Sequence, residues 1–427
     1  MFITGKPALI SRDHGDYCFY ISWQVDRRTV LSPSEEALGF TNASIRDSLR
    51  PFNLNESQTE AISSCLMARA CHHKHSFKLI WGPPGTGKTK TVGILLRALQ
   101  LLKCRTLTCA PTNTAVVQVV SRLLPLVEKD SVRGVLPLGD IVLFGNKDRM
   151  KIDDSLRQVF LGYRVKRLMD CFAPATGWRH CLNAMMDFFK HCISEYHNYV
   201  EDMKKKSTNT QVLTLLVFVQ RRFRAIADNL VSCLEILCQH LPGASISDAG
   251  FRNLVMLLNL VQSFRKLIHM SVPERVLKEV FTNTTGCGNL TLQCVNSHAS
   301  NVSSTAIQLQ QTRSQCLKIM MTLQETLELT LTTAKPLIQD FCLRNASLIF
   351  CTASSSSKLH LVPMMEPFEF LVIDEAAQLK ECESLIPLLL TGLRHAVLIG
   401  DECQLPAMVQ SKVCKKSVLH HVLSVIP

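Results

Sequence analysis

The residues with the clearest chemical potential are Gly82 to Thr89, "GPPGTGKT". They fit the spacing G-x-x-x-x-G-K-[ST], after a short apolar run and before an amphipathic one. The loop Gly82, Pro83, Pro84, Gly85, Thr86, Gly87 reads as a phosphate cradle. Its glycines let backbone amides turn inward onto phosphate oxygens, and a helix N-terminus behind it adds a favourable dipole. Lys88 would reach the β- and γ-phosphates, and Thr89 would offer its hydroxyl to Mg²⁺. The partner chemistry lies far along the chain in "FLVIDEAAQ". An apolar strand ending in Asp374 puts a carboxylate at the strand's C-terminal edge, beside the loop and its magnesium. Glu375 would polarise an attacking water as general base. Acidic residues after a strand are common in isolation; paired with a phosphate loop they read as a nucleoside-triphosphatase.

These groups must be held by elements that alternate. "FKLIW" predicts a buried strand and "KTKTVGILLRALQLL" a helix with Val92, Leu95, Leu96 and Leu99 on one face. "RTLTCA" predicts a strand, "PTNTA" a turn and "VVQVVSRLLPLV" a helix. The same grammar returns in "SLIFCTA", "FEFLVIDEA", the helical "AQLKECESLIPLLL" and "HAVLIGD". Strand, turn and helix in repetition predict an α/β fold with a parallel sheet. Between the two blocks apolar residues recur at helical spacing, as in Val219, Phe223, Ile226, Leu230 and Leu237, then Leu254, Leu257, Val261, Phe264 and Ile268, then Ile319, Leu323 and Leu327. A large all-helical insertion over residues 151–340 is expected, with "NTTGCGNLTLQCVNSHASNVSST" as a polar loop inside it. Ahead of everything, "YCFYISWQV" alternates as a single half-buried strand would.

Composition narrows the class. The chain has 427 residues, 47% of them apolar and 19% charged, so it can bury a core and is not of the disordered class. A net charge of +12 permits a polyanionic partner. Residues 151–340 hold 21 Lys/Arg against 15 Asp/Glu, so the excess is not concentrated in the insertion. The 18 cysteines are scattered without a CxxC pair, and Cys287, Cys294 and His298 lack zinc-ligand spacing. The cluster Cys71, His72, His73, His75 reads as a polar loop. "MFITGKPALISRDHGDY" has no apolar signal region, and the best apolar run stops at "QRRFR", so a soluble, reduced, intracellular chain without a membrane span is expected.

Six segments in order, "FNLNESQTEAI", "GPPGTGKT", "APTNTAV", "IFCTASSS", "VIDEAAQ" and "GDECQLPAMV", resemble the first RecA-like domain of superfamily 1 RNA/DNA helicases, the senataxin-like branch found in plants. The DEAA-type box and the following GDxxQLP set the chain apart from AAA+ ATPases and small GTPases. The resemblance implies a RecA-like phosphate-loop domain that binds ATP and Mg²⁺ and acts on single-stranded RNA or DNA, with protein partners in RNA processing and a nuclear (alternatively cytoplasmic) location. It implies that Gln58 hydrogen-bonds the adenine, that Thr89 and Asp374 hold Mg²⁺, and that Gln404 senses the γ-phosphate. Catalytic roles would fall to Lys88, Asp374, Glu375 and Gln404. Pro111, Thr112, Asn113, Thr352 and Ser354 would lie against the nucleic-acid backbone. The implied insertion lies over the nucleic-acid path, where Lys204 to Lys206 and Arg221 to Arg224 are equally well read as solvated faces. Implied divisions are residues 1–50 as a β remnant or linker, 51–150 and 341–410 as the two parts of the motor domain, 151–340 as the insertion and 411–427 as a divergent tail.

The tail "VCKKSVLHHVLSVIP" matches no segment of the resemblance and reads as sequence past a lost splice junction rather than as a short helix. The second motor domain and its arginines are not found in the chain. Such an arginine is worth about 10³–10⁵ in phosphoryl-transfer rate. A competing expectation is therefore a catalytically weak fragment that binds ATP and nucleic acid without unwinding. A third is a helical scaffold that binds no nucleotide.

Overall fold

The computed structural model describes residues 19–25, 42–70, 75–129, 136–205, 212–270, 272–282, 299–329 and 332–401. Its described residues cluster into two compact units, one formed by the chain up to Arg164 and from Gln339 onward, the other by Val165–Ile338.

The first unit is a seven-stranded sheet. Its strands are β1 (Phe19–Val25), β2 (His75–Trp81), β3 (Thr106–Ala110), β4 (Ile141–Leu143), β5 (Leu348–Thr352), β6 (Phe370–Ile373) and β7 (His395–Gly400), in the order β1-β2-β7-β6-β3-β5-β4. Every pair from β2 onward is parallel, and β1 adds antiparallel to β2 from Phe19 opposite Trp81 to Val25 opposite His75. The strand expected from the alternation in "YCFYISWQV" is thus the edge of this same sheet. The interior strands β3, β5 and β6 are buried at every residue, as continuous apolar runs in a doubly covered parallel sheet should be. The fold is the expected α/β, RecA-like phosphate-loop arrangement.

Helices α2 (Glu56–Ala70), α3 (Lys88–Leu101) and α4 (Asn113–Glu128) pack on the sheet, and α1 (Asn42–Leu49) packs against α2. Ile62, Leu95, Leu99, Val119 and Leu123 share one core with Phe350, Val372 and Ile399. At the end of the sheet opposite the phosphate loop, Arg105 fastens the returning chain. Its guanidinium donates to the carbonyls of Leu343 and Ala346, both at 2.8 Å, and to that of Arg344, capping the helix Lys335–Asn345. It also lies over the Phe368 ring, 4.9 Å from the centroid. Burial lowers its pKa to about 10.

Two expectations on elements are revised. The single helix read into "AQLKECESLIPLLL" is a 3₁₀ turn, Ala376–Gln378, then a separate helix, Glu381–Leu388. Leu379 and Lys380 are extended between them, with the Leu379 side chain buried. The helix Ala299–Thr326 begins inside the stretch read as a polar loop, whose residues 283–298 lie outside the described ones.

The second unit is all-helical, with Trp178–Lys205, Leu215–His240, Asp248–Ile268, Glu274–Thr282 and Ala299–Thr326 as its main helices. Its core holds a phenylalanine cluster: Phe189 and Phe264 meet edge-on at 5.0 Å, and Phe188, Phe223 and Phe281 surround them. Much of the basic run on its surface is paired. Arg222 bonds Glu195 at 3.1 Å, and Arg224 and Arg265 converge on Asp228 at 3.9 and 2.6 Å. Lys204, Lys205 and Arg221 are exposed, and Lys206 lies outside the described residues. No described helix is long and apolar enough to cross a membrane.

Candidate active site

The parallel strands all end on one edge of the sheet, where ligands of open α/β sheets bind. Trp81 lies opposite Gly400 in the ladder, Ile373 opposite Leu398 and Cys109, and Ala110 opposite Thr352. This register brings Gly82–Thr89, Asp374–Glu375, Asp401, Pro111–Asn113 and Thr352–Ser354 to that edge. Gln404 and the segment "ECQLPAMV" lie outside the described residues.

The loop after β2 has the conformation its glycines permit. Gly85 and Gly87 both have φ of +82°, a left-handed region that disfavours side chains. Gly82 N–H donates to the Gly400 carbonyl at 3.4 Å, and both the N–H and the hydroxyl of Thr86 turn back to the Pro83 carbonyl at 3.4 and 2.8 Å. Lys88 is 8% exposed, and its ammonium curls over the loop to donate to the carbonyls of Gly82 at 2.6 Å and Pro83 at 3.3 Å. Pro84 and Gly85 are exposed, and Thr89, in the first turn of α3, is partly so.

Gln58 braces this loop from behind. It is the third helical residue of α2, and with Asn55 it forms a reciprocal capping box. Gln58 N–H donates to Asn55 Oδ1 at 2.8 Å, and Asn55 N–H donates to Gln58 Oε1 at 3.2 Å. The Gln58 side-chain nitrogen then donates to the Thr86 carbonyl at 2.9 Å. An amide has a second donor hydrogen and a second acceptor lone pair, the pair of functions that an adenine edge requires.

Asp374 is 4% exposed, and its N–H donates to the Cys109 carbonyl at 2.9 Å. Its pKa is raised to about 6, first by loss of solvent and then by the neighbouring Glu375; the Lys88 ammonium acts in the opposite direction. The loop's cation is therefore within electrostatic reach of the carboxylate. A buried carboxylate whose charge is held back by desolvation and a second carboxylate is an environment that a divalent cation relieves. Together with the open glycine cradle, these residues fit a magnesium–nucleoside triphosphate. Glu375 follows with φ +51° and ψ +40°, left-handed for a residue with a side chain. Its carbonyl accepts from Gln378 N–H at 3.0 Å, and its Oε2 accepts from Gln378 Nε2 at 3.3 Å. Gly400 permits this turn to lie against β7: a Cβ there would stand 3.1 Å from Ala377 N and 3.3 Å from Ala376 N.

The two polar turns beside β3 and β5 satisfy themselves. Thr112 is the N-cap of α4, its hydroxyl accepting from Ala115 N–H at 3.2 Å, and Asn113 is the first helical residue. The Thr352 hydroxyl accepts from Ser355 N–H at 3.3 Å and donates to Ser355 Oγ at 2.8 Å. Thr112 and Ser354 are nevertheless exposed at the edge, and Pro111 and Asn113 partly so. Ala353 N–H donates to the Ala110 carbonyl at 3.0 Å, tying the two turns together.

The family model described as AAA domain (AAA_11) matches residues 53–412, most of the chain. The chain belongs to that family. Similarity to named proteins falls on helicases. Helicase sen1 of Schizosaccharomyces pombe is 27% identical over 195 residues, 41% of this chain and 11% of that protein. Probable helicase MAGATAMA 3 of Arabidopsis thaliana is 40% identical over 80 residues, 19% of this chain and 10% of that protein. Human probable helicase senataxin is 33% identical over 174 residues, 35% of this chain and 6% of that protein. This AAA domain is accordingly of the superfamily 1 helicase type, senataxin-like, and corresponds to the first motor domain. It spans about a tenth or less of the length of those relatives.

Sequence reasoning passed over three residues of this edge. Asn55 had a signal, its i, i+3 spacing to Gln58. Gln378 stood in the quoted "VIDEAAQ", but its contact with Glu375 depends on the left-handed turn between them. Gly400 had no local signal, because the need for a missing Cβ arises from the turn that packs against it.

Proposed function

We propose that this domain binds ATP with Mg²⁺ and couples ATP hydrolysis to a grip on single-stranded RNA or DNA, as the first motor domain of a helicase. The observation that carries the reading is the Lys88 ammonium folded over the phosphate loop within the field of the buried Asp374 carboxylate.

In this reading Lys88 exchanges the Gly82 and Pro83 carbonyls for phosphate oxygens, and the backbone N–H groups of Gly85, Gly87, Lys88 and Thr89 enclose them, Pro83 and Pro84 having none to give. Thr89 and Asp374 would hold Mg²⁺, which when bound would supply charge neutralisation to the phosphates. Glu375 accepts a proton from the attacking water, and Gln58 orients the adenine through its remaining donor and acceptor. Gln404 couples the γ-phosphate to the rest of the motor. Thr112, Asn113 and Ser354 present short polar groups to the sugar-phosphate backbone from turns that also contain Pro111 and the buried Thr352, which suits positioning without base readout.

Residues 51–150 and 341–410 are read as the two parts of the motor and 151–340 as its insertion, with 1–50 as a leading segment whose strand β1 joins the motor's sheet and 411–427 as a flanking tail. Protein partners in RNA processing and a nuclear location complete the proposal. Steady-state ATP hydrolysis with and without single-stranded RNA tests it. RNA-stimulated turnover that disappears in Lys88→Ala is expected; nucleotide binding without turnover would leave only a binding module.

A further inference from the structure

Gln378 is placed to do more than close a turn. Its backbone N–H meets the Glu375 carbonyl at 3.0 Å, and its side-chain nitrogen meets Glu375 Oε2 at 3.3 Å. One residue therefore holds both the main chain and the carboxylate of the residue three positions before it. The Glu375 backbone is left-handed, at φ +51°, so its side chain leaves the chain in a direction that an ordinary helical turn would not provide. That conformation is confined on the other side by Gly400, whose bare Cα lies against the amides of Ala376 and Ala377. Gln378 itself is only partly exposed, and the adjacent Leu379 is buried, which anchors the end of the turn.

We infer that Gln378 is a positioning residue for hydrolysis, holding one oxygen of the Glu375 carboxylate so that the other is presented to the attacking water. This inference rests on the proposed role of Glu375 as general base. A carboxylate on a turn has several rotamers, and a reacting group displaced by about 1 Å can lose about 10² in rate. The amide nitrogen can only donate, so it fixes the carboxylate oxygen without competing for the water's proton. Gln378 touches neither nucleotide nor metal in this account; it acts through Glu375.

The test uses the full 427-residue chain and three variants: Glu375→Gln, Gln378→Met, which keeps length and volume but loses the donor, and the double variant. In single-turnover ATP hydrolysis, Gln378→Met should be about tenfold to a hundredfold slower than wild type, with MgADP affinity within twofold. The double variant should be no slower than Glu375→Gln alone, because the two residues act as a unit. A second readout needs no turnover: with ¹⁵N-labelled glutamine, the side-chain amide signal that Gln378→Met removes should move upfield in Glu375→Gln. Hydrolysis by Gln378→Met within twofold of wild type overturns the inference while leaving Glu375 as base. An amide signal unmoved by Glu375→Gln also overturns it. Wild type no faster than Glu375→Gln overturns both.

Discussion

The side-chain amide of Gln58 donates to the Thr86 carbonyl at 2.9 Å, joining the first turn of α2 to the phosphate loop across 28 positions of sequence. The loop is therefore held by its neighbouring helix, and Gly87 sits at the point of closest approach. A Cβ on Gly87 would stand 2.8 Å from Gln58 Nε2, whereas one on Gly85 would meet nothing within 4 Å. Both glycines have φ of +82°. Gly85→Ala should therefore carry only the left-handed conformational cost, about 1–2 kcal/mol. Gly87→Ala should add loss of the Gln58 brace, for a total of about 2–4 kcal/mol. Urea unfolding of both variants, with nucleotide affinity beside it, measures the difference.

Asp374 predicts a stability change of unusual sign. Moving a carboxyl pKa from 3.8 to about 6 penalises the ionised form by about 3 kcal/mol. The penalty is absent below about pH 4, grows as pH rises towards 6 and is complete above it. Asp374→Asn should thus raise the melting temperature of the ligand-free protein at pH 8, leave it nearly unchanged at pH 3.5, and lose Mg²⁺-dependent nucleotide binding. In the wild type, Mg²⁺ dependence should weaken as pH falls through about 6. Thermal melts at the two pH values and a magnesium titration check both halves.

The hydroxyl of Thr112 caps α4, and its exposed place at the strand ends also suits a nucleic-acid contact. The two roles separate by substitution. Thr112→Val should cost about 1 kcal/mol of stability through the lost cap. Thr112→Asp keeps the cap and should hold stability, yet place a negative charge against the sugar-phosphate backbone. A severalfold weaker affinity for single-stranded RNA in Thr112→Asp, with an unchanged unfolding midpoint, is the expected pair of results.

Arg105 caps the last carbonyls of the helix Lys335–Asn345. Arg105→Met would leave those buried carbonyls without their donor and lower stability by about 2–4 kcal/mol. Arg105→Lys should recover only part of this, since an ammonium cannot reproduce the planar fork. Urea midpoints of the two variants rank them.

Much of this site was legible in the sequence because its signals are local. The phosphate loop needs glycines at set positions, and Asp374 ends an apolar run that could hardly be anything but a strand. The parallel sheet followed from the same alternation; β1 was legible only as a lone strand, because its antiparallel pairing with β2 is a long-range fact that no local pattern contains. The strand Ile141–Leu143 was passed over, since three residues carry too little periodicity to declare a strand. The break at Leu379–Lys380 was also hidden, because "AQLKECESLIPLLL" has helical composition throughout. It is the turn over Glu375 that ends the first piece. Polar turns gave the least: a threonine looks alike whether it satisfies its own turn or touches a phosphate, and in the fold Thr112 caps α4 while Thr352 bonds Ser355 within its turn.

The most direct measurement of the central claim is equilibrium binding of a non-hydrolysable ATP analogue with Mg²⁺ to the wild-type chain and to Lys88→Ala. If the loop Gly82–Thr89 is the phosphate cradle, the wild type should bind saturably and Lys88→Ala at least tenfold more weakly. Equal affinity in the two proteins, or no binding by the wild type, would contradict the account.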